Sequence, residues 1–285
     1  MGNGVDYSLE NQNKQQSYRR QLSQYWKPWR KAISVQRQTL SALIFRETKT
    51  RFGEQSLGIL WAFGEVLSHI FIFWGLWTVM GRQAHNGLAT PMFLISGMVP
   101  YFMFSNIFSK SADCISANRA LLVFSQIHIF DFVLSRAIVE LTIYMSAITI
   151  FLVGLYFFEF DIQIYSLVRV IWGILVLWIL GIGLGLIYLP FKGKFKIIDT
   201  IVSVGFRMLY FISGAIFPLE AAPKWAIDYL QYNPVLHLIE YIRTGFIDNY
   251  GIFNNIEYGF VCALFTLMIG LILLKRLKKM ILQND

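Results

Sequence analysis

Six apolar runs, each near the 20 residues needed to cross a bilayer, partition this chain and leave it no reasonable way to fold in water. They lie at Ile59–Met80, Pro91–Phe108, Phe132–Phe158, Leu167–Leu189, Ile197–Phe217 and Tyr258–Leu274. Of the 285 residues, 56% are hydrophobic and only 15% charged, where a soluble domain carries about a quarter. The sequence therefore predicts an all-α polytopic integral membrane protein with six transmembrane helices. A net charge of +8 on its own suggests nucleic acid. Its cations flank apolar runs, so membrane topology accounts for them and no nucleic-acid partner is expected.

Charge in the connections sets the orientation. Residues 1–32 are polar and rich in Gln, Asn, Lys and Arg, without the apolar centre of a signal peptide. They are expected as a cytoplasmic amino-terminal tail. With that end inside, the cytoplasmic connections hold Lys110, Arg119, Arg136, Lys192, Lys194, Lys196 and the run KRLKK at Lys275–Lys279. Residues 280–285 close the chain as a second cytoplasmic tail. The external connections hold Arg82, Arg169, Lys224 and Arg243 diluted by seven acids, from Glu159 to Glu257. Even span counts fit this asymmetry and odd ones do not. Cys114 and Cys262 fall on opposite sides, so no disulfide is expected.

Ahead of the first run, the segment RETKTRFGEQSLGILWAFGEVL, Arg46–Leu67, passes from basic to apolar with no linker. Helical projection gathers Ile33, Leu40, Leu43 and Ile44 in an arc of roughly 100°, opposite Gln38, Ser41, Arg46 and Lys49. Phe45 interrupts the pattern. An amphipathic interface helix over 33–58 is expected, lying on the cytoplasmic membrane face.

Two connections are long enough for structure of their own. Ser109–Asp131 fits either a cytoplasmic helix that touches another protein or a membrane-surface loop. Pro218–Asn255 carries Trp225, Tyr229, Tyr232, Leu236 and Tyr241, too apolar for a solvated loop but broken at Asn233-Pro234. Proline lacks a backbone donor and disfavours helix in the residue before it, so two short helices separated there are expected. Such an external hairpin between spans five and six can be re-entrant if protein covers its broken backbone.

Catalytic signatures are missing. Gly193-Lys194 is followed by Phe195 and lacks the glycine of a phosphate-binding loop. His69, His85, His128 and His237 are scattered, and no metal or catalytic set forms. The ionisable residues within spans are costly and mark function or pairing. Glu65 and His69 share a helix face, as do Arg136 and Glu140, which are spaced to neutralise one another. Arg207, in the middle of the fifth run, has no local acid. It either contacts an anionic group in a central pathway or pairs with a carboxylate such as Glu65. Aromatic stripes occur at Phe63, Trp74 and Trp77 and at Phe206, Tyr210 and Phe217. They suit either the C–H faces of sugar rings or ordinary helix packing and lipid contact.

From about Leu40 to Lys279 the chain resembles the ABC-2 membrane permeases that export polysaccharide, in particular the capsular polysaccharide export permeases of Gram-negative bacteria. The opening segment Arg46–Leu67 carries the resemblance, together with FPLEAAPKWAIDYLQYNPVLHLIEYIRTGF at Phe217–Phe246. In the latter, Asn233, Pro234, His237, Glu240 and Arg243 match positions typical of the family. SGMVPYFMFSN at Ser96–Asn106 is a weaker match, and Glu65-Val66 stands where members often read Glu-Pro.

The resemblance implies an ABC-2 transmembrane domain over 33–279 and a dimer of this chain. Two copies of a separate ABC ATPase, using ATP and Mg, would bind at the cytoplasmic face; no cofactor belongs to this chain. It implies a coupling helix around Asp113–Ile129, joined by part of the helix before Trp61, with Asp113, Asn118, Arg119 and His128 toward the ATPase. The cargo would be an anionic lipid-linked polysaccharide, passed along Phe63, Trp74, Trp77, Phe206, Arg207, Tyr210 and Phe217. Arg46, Lys49 and Arg51 would attract its phosphorylated lipid end, where ordinary anionic lipids are the competing attraction. The external hairpin, with Trp225, would cap the exit, near periplasmic or outer-membrane export proteins. Localisation in the bacterial inner membrane follows. Other cargoes of the same machinery (O-antigen, teichoic acid, drugs) stay open. A membrane glycosyl or lipid transferase would need gathered carboxylates, whereas Glu65, Glu140 and Asp199 are far apart in sequence.

Overall fold

The computed structural model describes residues 31–51, 58–81, 88–123, 127–160, 162, 164–219, 222–247, 250–251 and 253–283. The expected tail over 1–30, residues 52–57 of the interface helix and residues 284–285 lie outside them. The described residues are α-helical apart from turns and short 3-10 segments. Helix α1 covers residues 31–51. It is followed by α2 (Gly58–Val79), α3 (Thr90–Ala112), α4 (Ile129–Phe157), α5 (Leu167–Tyr188), α6 (Lys196–Ile212), α7 (Lys224–Leu230), α8 (Pro234–Arg243) and α9 (Ile256–Gln283).

Four of these, α3, α4, α5 and residues Ile256–Arg276 of α9, are long and apolar enough to cross a membrane. The apolar part of α2, Phe63–Val79, is shorter. Their outward faces expose Phe71, Ile72, Ile150, Val153, Ile171, Phe265 and Met268, an apolar belt untenable in water. The chain is an all-α multi-pass membrane protein.

Helix α3 is the axis of the bundle, packed against α2, α4, α5 and α8 and buried along most of its length. Its proline at the first turn, Pro91, has no donor to leave unpaired there. The glycines of α5 explain how closely its neighbours approach. A Cβ at Gly181 would lie 3.2 Å from the Phe104 carbonyl of α3, and one at Gly185 would lie 2.5 Å from Ser111 Cβ. Between them Gly183 faces the other way, where a Cβ would meet Leu267 N of α9 at 2.6 Å. Small residues four apart let one helix face touch another backbone, a device suited to membranes, where packing rather than water drives association. These contacts set α3, α5 and α9 parallel. Asn106 Nδ2 donates to Tyr144 Oη at 2.6 Å, and Trp178 Nε1 donates to the Ala137 carbonyl at 2.8 Å, tying α4 antiparallel to that group.

One end of the bundle is basic. There α1, the α3–α4 connection and the α5–α6 connection meet, with Lys192 Nζ 3.6 Å from Asp113 Oδ1. At the opposite end α8 is inserted among α3, α5 and α9. The break at Asn233-Pro234 separates α7 from α8 as the sequence predicts: Asn233 Oδ1 accepts from Val235 N at 3.0 Å and Pro234 opens the helix.

Three local expectations give way. The fifth apolar run continues to Phe217, but α6 ends at Ile212 and the backbone turns at Gly214, φ 71°, where a side chain would be strained. Its 17 residues reach about 26 Å. The α3–α4 connection holds no α-helix among its described residues; turns lead to a five-residue 3-10 segment, Arg119–Val123. The buried Asn118 shapes those turns, its Nδ2 donating to the Cys114 carbonyl at 2.8 Å. Finally, Arg136 and Glu140 do not neutralise one another. Both reach α1, where Arg136 Nε meets Glu47 Oε2 at 3.3 Å and Glu140 bonds Arg51.

Candidate functional site

A cavity of about 450 Å³ opens between α2, α3 and α6. Its walls carry the rings of Tyr101, Phe102, Phe108, Phe206 and Tyr210, with Glu65 and His69 on α2, Arg207 on α6 and Lys192 beyond α5. The rings hold one another in place. Phe206 stacks on Phe108 at 4.0 Å and on Phe104 at 5.6 Å, and Tyr210 packs on Tyr101 at 5.0 Å and on Phe102 at 5.4 Å. Tyr101 Oη donates to the Phe206 carbonyl. A flat aromatic wall so fixed offers apolar faces without a deep pocket.

Arg207 is exposed to this cavity and has neither an ion pair nor a hydrogen bond among the described residues. Glu65, the carboxylate suggested as its partner, lines the same cavity without pairing to it. His69 Nδ1 lies 2.9 Å from the Glu65 carbonyl oxygen, and its ring meets Phe102 at 5.0 Å. The cavity thus combines aromatic faces with two cations, Arg207 and Lys192, and the carboxylate of Glu65.

Three of the seven pathway candidates, Phe206, Arg207 and Tyr210, line this cavity together. The rest are dispersed. Trp74 packs on Phe71 and Phe160 beside an apolar groove between α2 and α4. Trp77 is buried between Phe93 at 5.5 Å and Phe217 at 6.3 Å. Phe217 borders a second hollow of about 480 Å³ under α7, with Trp225 and Tyr229. Phe63 is partly buried against the core. Helical spacing placed these rings on shared stripes; their neighbours put them in different surroundings.

The expected lipid-capture cations divide similarly. Arg46 Nη2 bonds Asn118 and Arg51 Nη1 bonds Glu140, so both point into the protein. Lys49 is exposed. Gln36 adds a bond to Asp131, completing a polar seam of α1 against α4 and the connection before it. Leu43 is buried and Leu40 and Ile44 are half-buried, whereas Ile33 of the same stripe is 64% exposed and Phe45, off it, 71%. Among the coupling candidates, Asn118 is buried, and Arg119 and His128 are exposed. His128 heads α4, its N–H donating to Asp131 Oδ2 at 2.8 Å. Burial pushes the Cys114 thiol up to about 12, an unreactive state.

The hairpin residues are mostly fasteners. Arg243 and Glu240 are fully buried and paired at 3.0 Å. Arg243 Nη2 also donates to the Phe93 and Ala215 carbonyls at 3.3 and 3.4 Å, and the guanidinium covers the Phe93 ring at 3.8 Å. His237 joins Gln231 and Asn255: Nε2 lies 2.8 Å from the Gln231 carbonyl, and Nδ1 accepts from Asn255 N at 3.3 Å. That arrangement fixes the neutral Nε2–H tautomer. Asn233 Nδ2 donates to the Ile212 carbonyl at 3.3 Å, holding the hairpin to the end of α6. Trp225 is exposed. No group of His, Cys, Asp and Glu suited to a metal occurs among the described residues. Sequence reasoning missed Tyr101 and Phe102, which the Ser96–Asn106 motif contained, and Lys192, which stood only as a topological charge.

The ABC-2 type transporter family profile matches residues 38–247. The polysialic acid transport protein KpsM of Escherichia coli is 32% identical over 252 residues, covering 86% of this chain and 95% of that protein. The capsule polysaccharide export inner-membrane protein CtrC of Neisseria meningitidis serogroup B is 27% identical over 256 residues, covering 87% and 94%. The O-antigen export system permease protein RfbA of Myxococcus xanthus is 36% identical over only 83 residues, 29% of this chain and 31% of its own length.

Proposed function

The chain belongs to the ABC-2 type transporter family, as a membrane permease rather than a catalytic ATPase, and on that premise we propose how it works. It is the pathway subunit of an ATP-driven exporter that carries a lipid-anchored, anionic capsular polysaccharide across the bacterial inner membrane. The observation that carries this reading is the aromatic cavity with Arg207 on its wall, unpaired among the described residues. Sugar rings present C–H faces to Phe102, Phe206 and Tyr210, and carboxylates or phosphates on the polymer meet Arg207. The names of the capsule-export relatives favour this class of cargo. The O-antigen permease match favours a second reading with a different glycan on the same machinery.

In this reading α2, α3, α4, α5, α6 and α9 make six crossings, with the basic end and both termini in the cytoplasm. That supports positive-inside topology. The α7–α8 hairpin re-enters from outside; burial of α8 among α3, α5 and α9 supplies the protein cover its broken backbone requires. Two copies pair so that their cavities face a shared path, and α6, exposed along most of its length, is the wall available for closing it. Two ABC ATPase subunits dock at the basic end through the connection bearing Asp113, Arg119 and His128. Lys49, beside it, remains a candidate for attracting the lipid end.

Deletion and complementation test the proposal. Without the chain, polymer should accumulate in the cytoplasm and be absent from the surface; its sugar analysis identifies the cargo. Purification of the tagged protein should recover an ATPase in equal copy number. Transport by the isolated chain on an ion gradient would contradict the reading.

A further inference from the structure

At the basic end another hollow, of about 250 Å³, lies between the α3–α4 and α5–α6 connections. Ala112, Ile115 and Pro190 help form its apolar surround, and Arg119, Lys192 and Lys194 bring three cations to it. Lys192 also lines the aromatic cavity. The two hollows are therefore adjacent and share one cation. Lys192 is held in place by Asp113, 3.6 Å away, and by the Tyr188 ring beneath it at 5.6 Å. Lys194 is exposed. Turns of the α5–α6 connection present Lys192 and Lys194, and the start of the 3-10 segment presents Arg119.

We propose that this basic hollow binds the phosphate group of a lipid anchor, with Lys192 handing the site over to the aromatic cavity. The inference rests on the polysaccharide-export reading and adds to it a place for the phosphorylated end. A tetrahedral dianion in the hollow meets Lys192 and Lys194 as point charges. A sugar linked to that phosphate falls toward Tyr188 and Phe108, the rings on the adjoining wall. Arg46 and Arg51, the cations first suited to this task, are engaged with Asn118 and Glu140, and the hollow takes over their role. Asp113 competes with the phosphate for Lys192 and sets the sign of a diagnostic variant.

The test uses the full chain purified in neutral detergent. It is titrated with a short-chain phosphatidic acid below its micelle-forming concentration and, separately, with inorganic phosphate. Lys192→Gln and Lys194→Gln should each weaken phosphatidic acid binding by about tenfold, the scale of one charge-assisted contact. Asp113→Asn should tighten it, and Lys224→Gln, at an exposed lysine of the opposite end, should leave it within about twofold. Binding of phosphatidic acid alone assigns the site to a phosphate carried on a lipid. Binding of inorganic phosphate with the same Lys192 dependence assigns it to the phosphate group itself. Equal affinities for wild type, Lys192→Gln and Lys194→Gln, or weaker binding by Asp113→Asn, would overturn the proposal. Complementation separates the two levels of the reading. If the wild-type chain fails to restore surface polymer, the export function falls. If export is restored but the titration ignores Lys192, only the phosphate site falls.

Discussion

Arg243 and Arg207 are both cations set within apolar helices, yet their surroundings are opposite. Arg243 lies in the α8 insertion with no exposed surface, paired to Glu240 and bonded to two carbonyls. Arg207 lies on the cavity wall of α6, exposed and with no partner among the described residues. A buried ion pair of this kind is retained when its geometry fixes one arrangement, and removing either half leaves a charge stranded. A cation facing a cavity keeps its capacity to bind something else. The difference separates a fastener from a contact, although both residues look alike in the sequence.

Mutation can break or sharpen that contrast, beginning with the largest cost in stability. Arg243→Met removes the buried counter-ion of Glu240 and should destabilise the protein by about 3–5 kcal/mol, read as loss of folded protein in the membrane. Adding Glu240→Gln should return part of that loss, because the buried negative charge is removed together with its counter-ion. Gly97→Val tests the same knot from α3. A Cβ there would lie 2.4 Å from Arg243 Nη2 and 2.5 Å from the Ala215 carbonyl. Overpacking of this kind costs about 1–3 kcal/mol, visible as a lower melting temperature in detergent. Arg51→Gln removes the partner of the buried Glu140, whose Oε2 already has no hydrogen-bond partner among the described residues. The expected cost is about 1–2 kcal/mol, with α1 becoming more open to proteolysis than α4. Arg207→Ala should change stability by no more than about 0.5 kcal/mol, and a large loss of melting temperature would show that it is a second fastener.

The sequence made the helices, their apolar runs and the Asn233-Pro234 break legible, because each depends on local residue types. It was less informative wherever a second element decides the outcome. The spacing of Arg136 and Glu140 favoured a local pair, but α1 lies over α4 and offers Glu47 and Arg51 to them. Projecting α1 alone placed Arg46 on the outer polar face, whereas the adjoining connection presents Asn118 to it. The aromatic stripe of α2 divided for the same reason: Trp77 met Phe93 and Phe217, and Trp74 met Phe160. The alternating Gly181, Gly183 and Gly185 mark close packing on two faces of α5, a signal the apolar runs alone did not bring out. The cavity itself needed α2, α3 and α6 together, and only its α6 wall was evident from periodicity.

The most direct measurement is surface polymer in cells that carry Arg207→Ala in place of the wild-type chain, with permease abundance and ATPase recovery measured in the same membranes. The cavity account predicts normal abundance, normal ATPase recovery and export reduced by about tenfold or more, the scale of one lost charged contact. Arg207→Lys should retain part of the activity. Wild-type export by Arg207→Ala at normal abundance would contradict it.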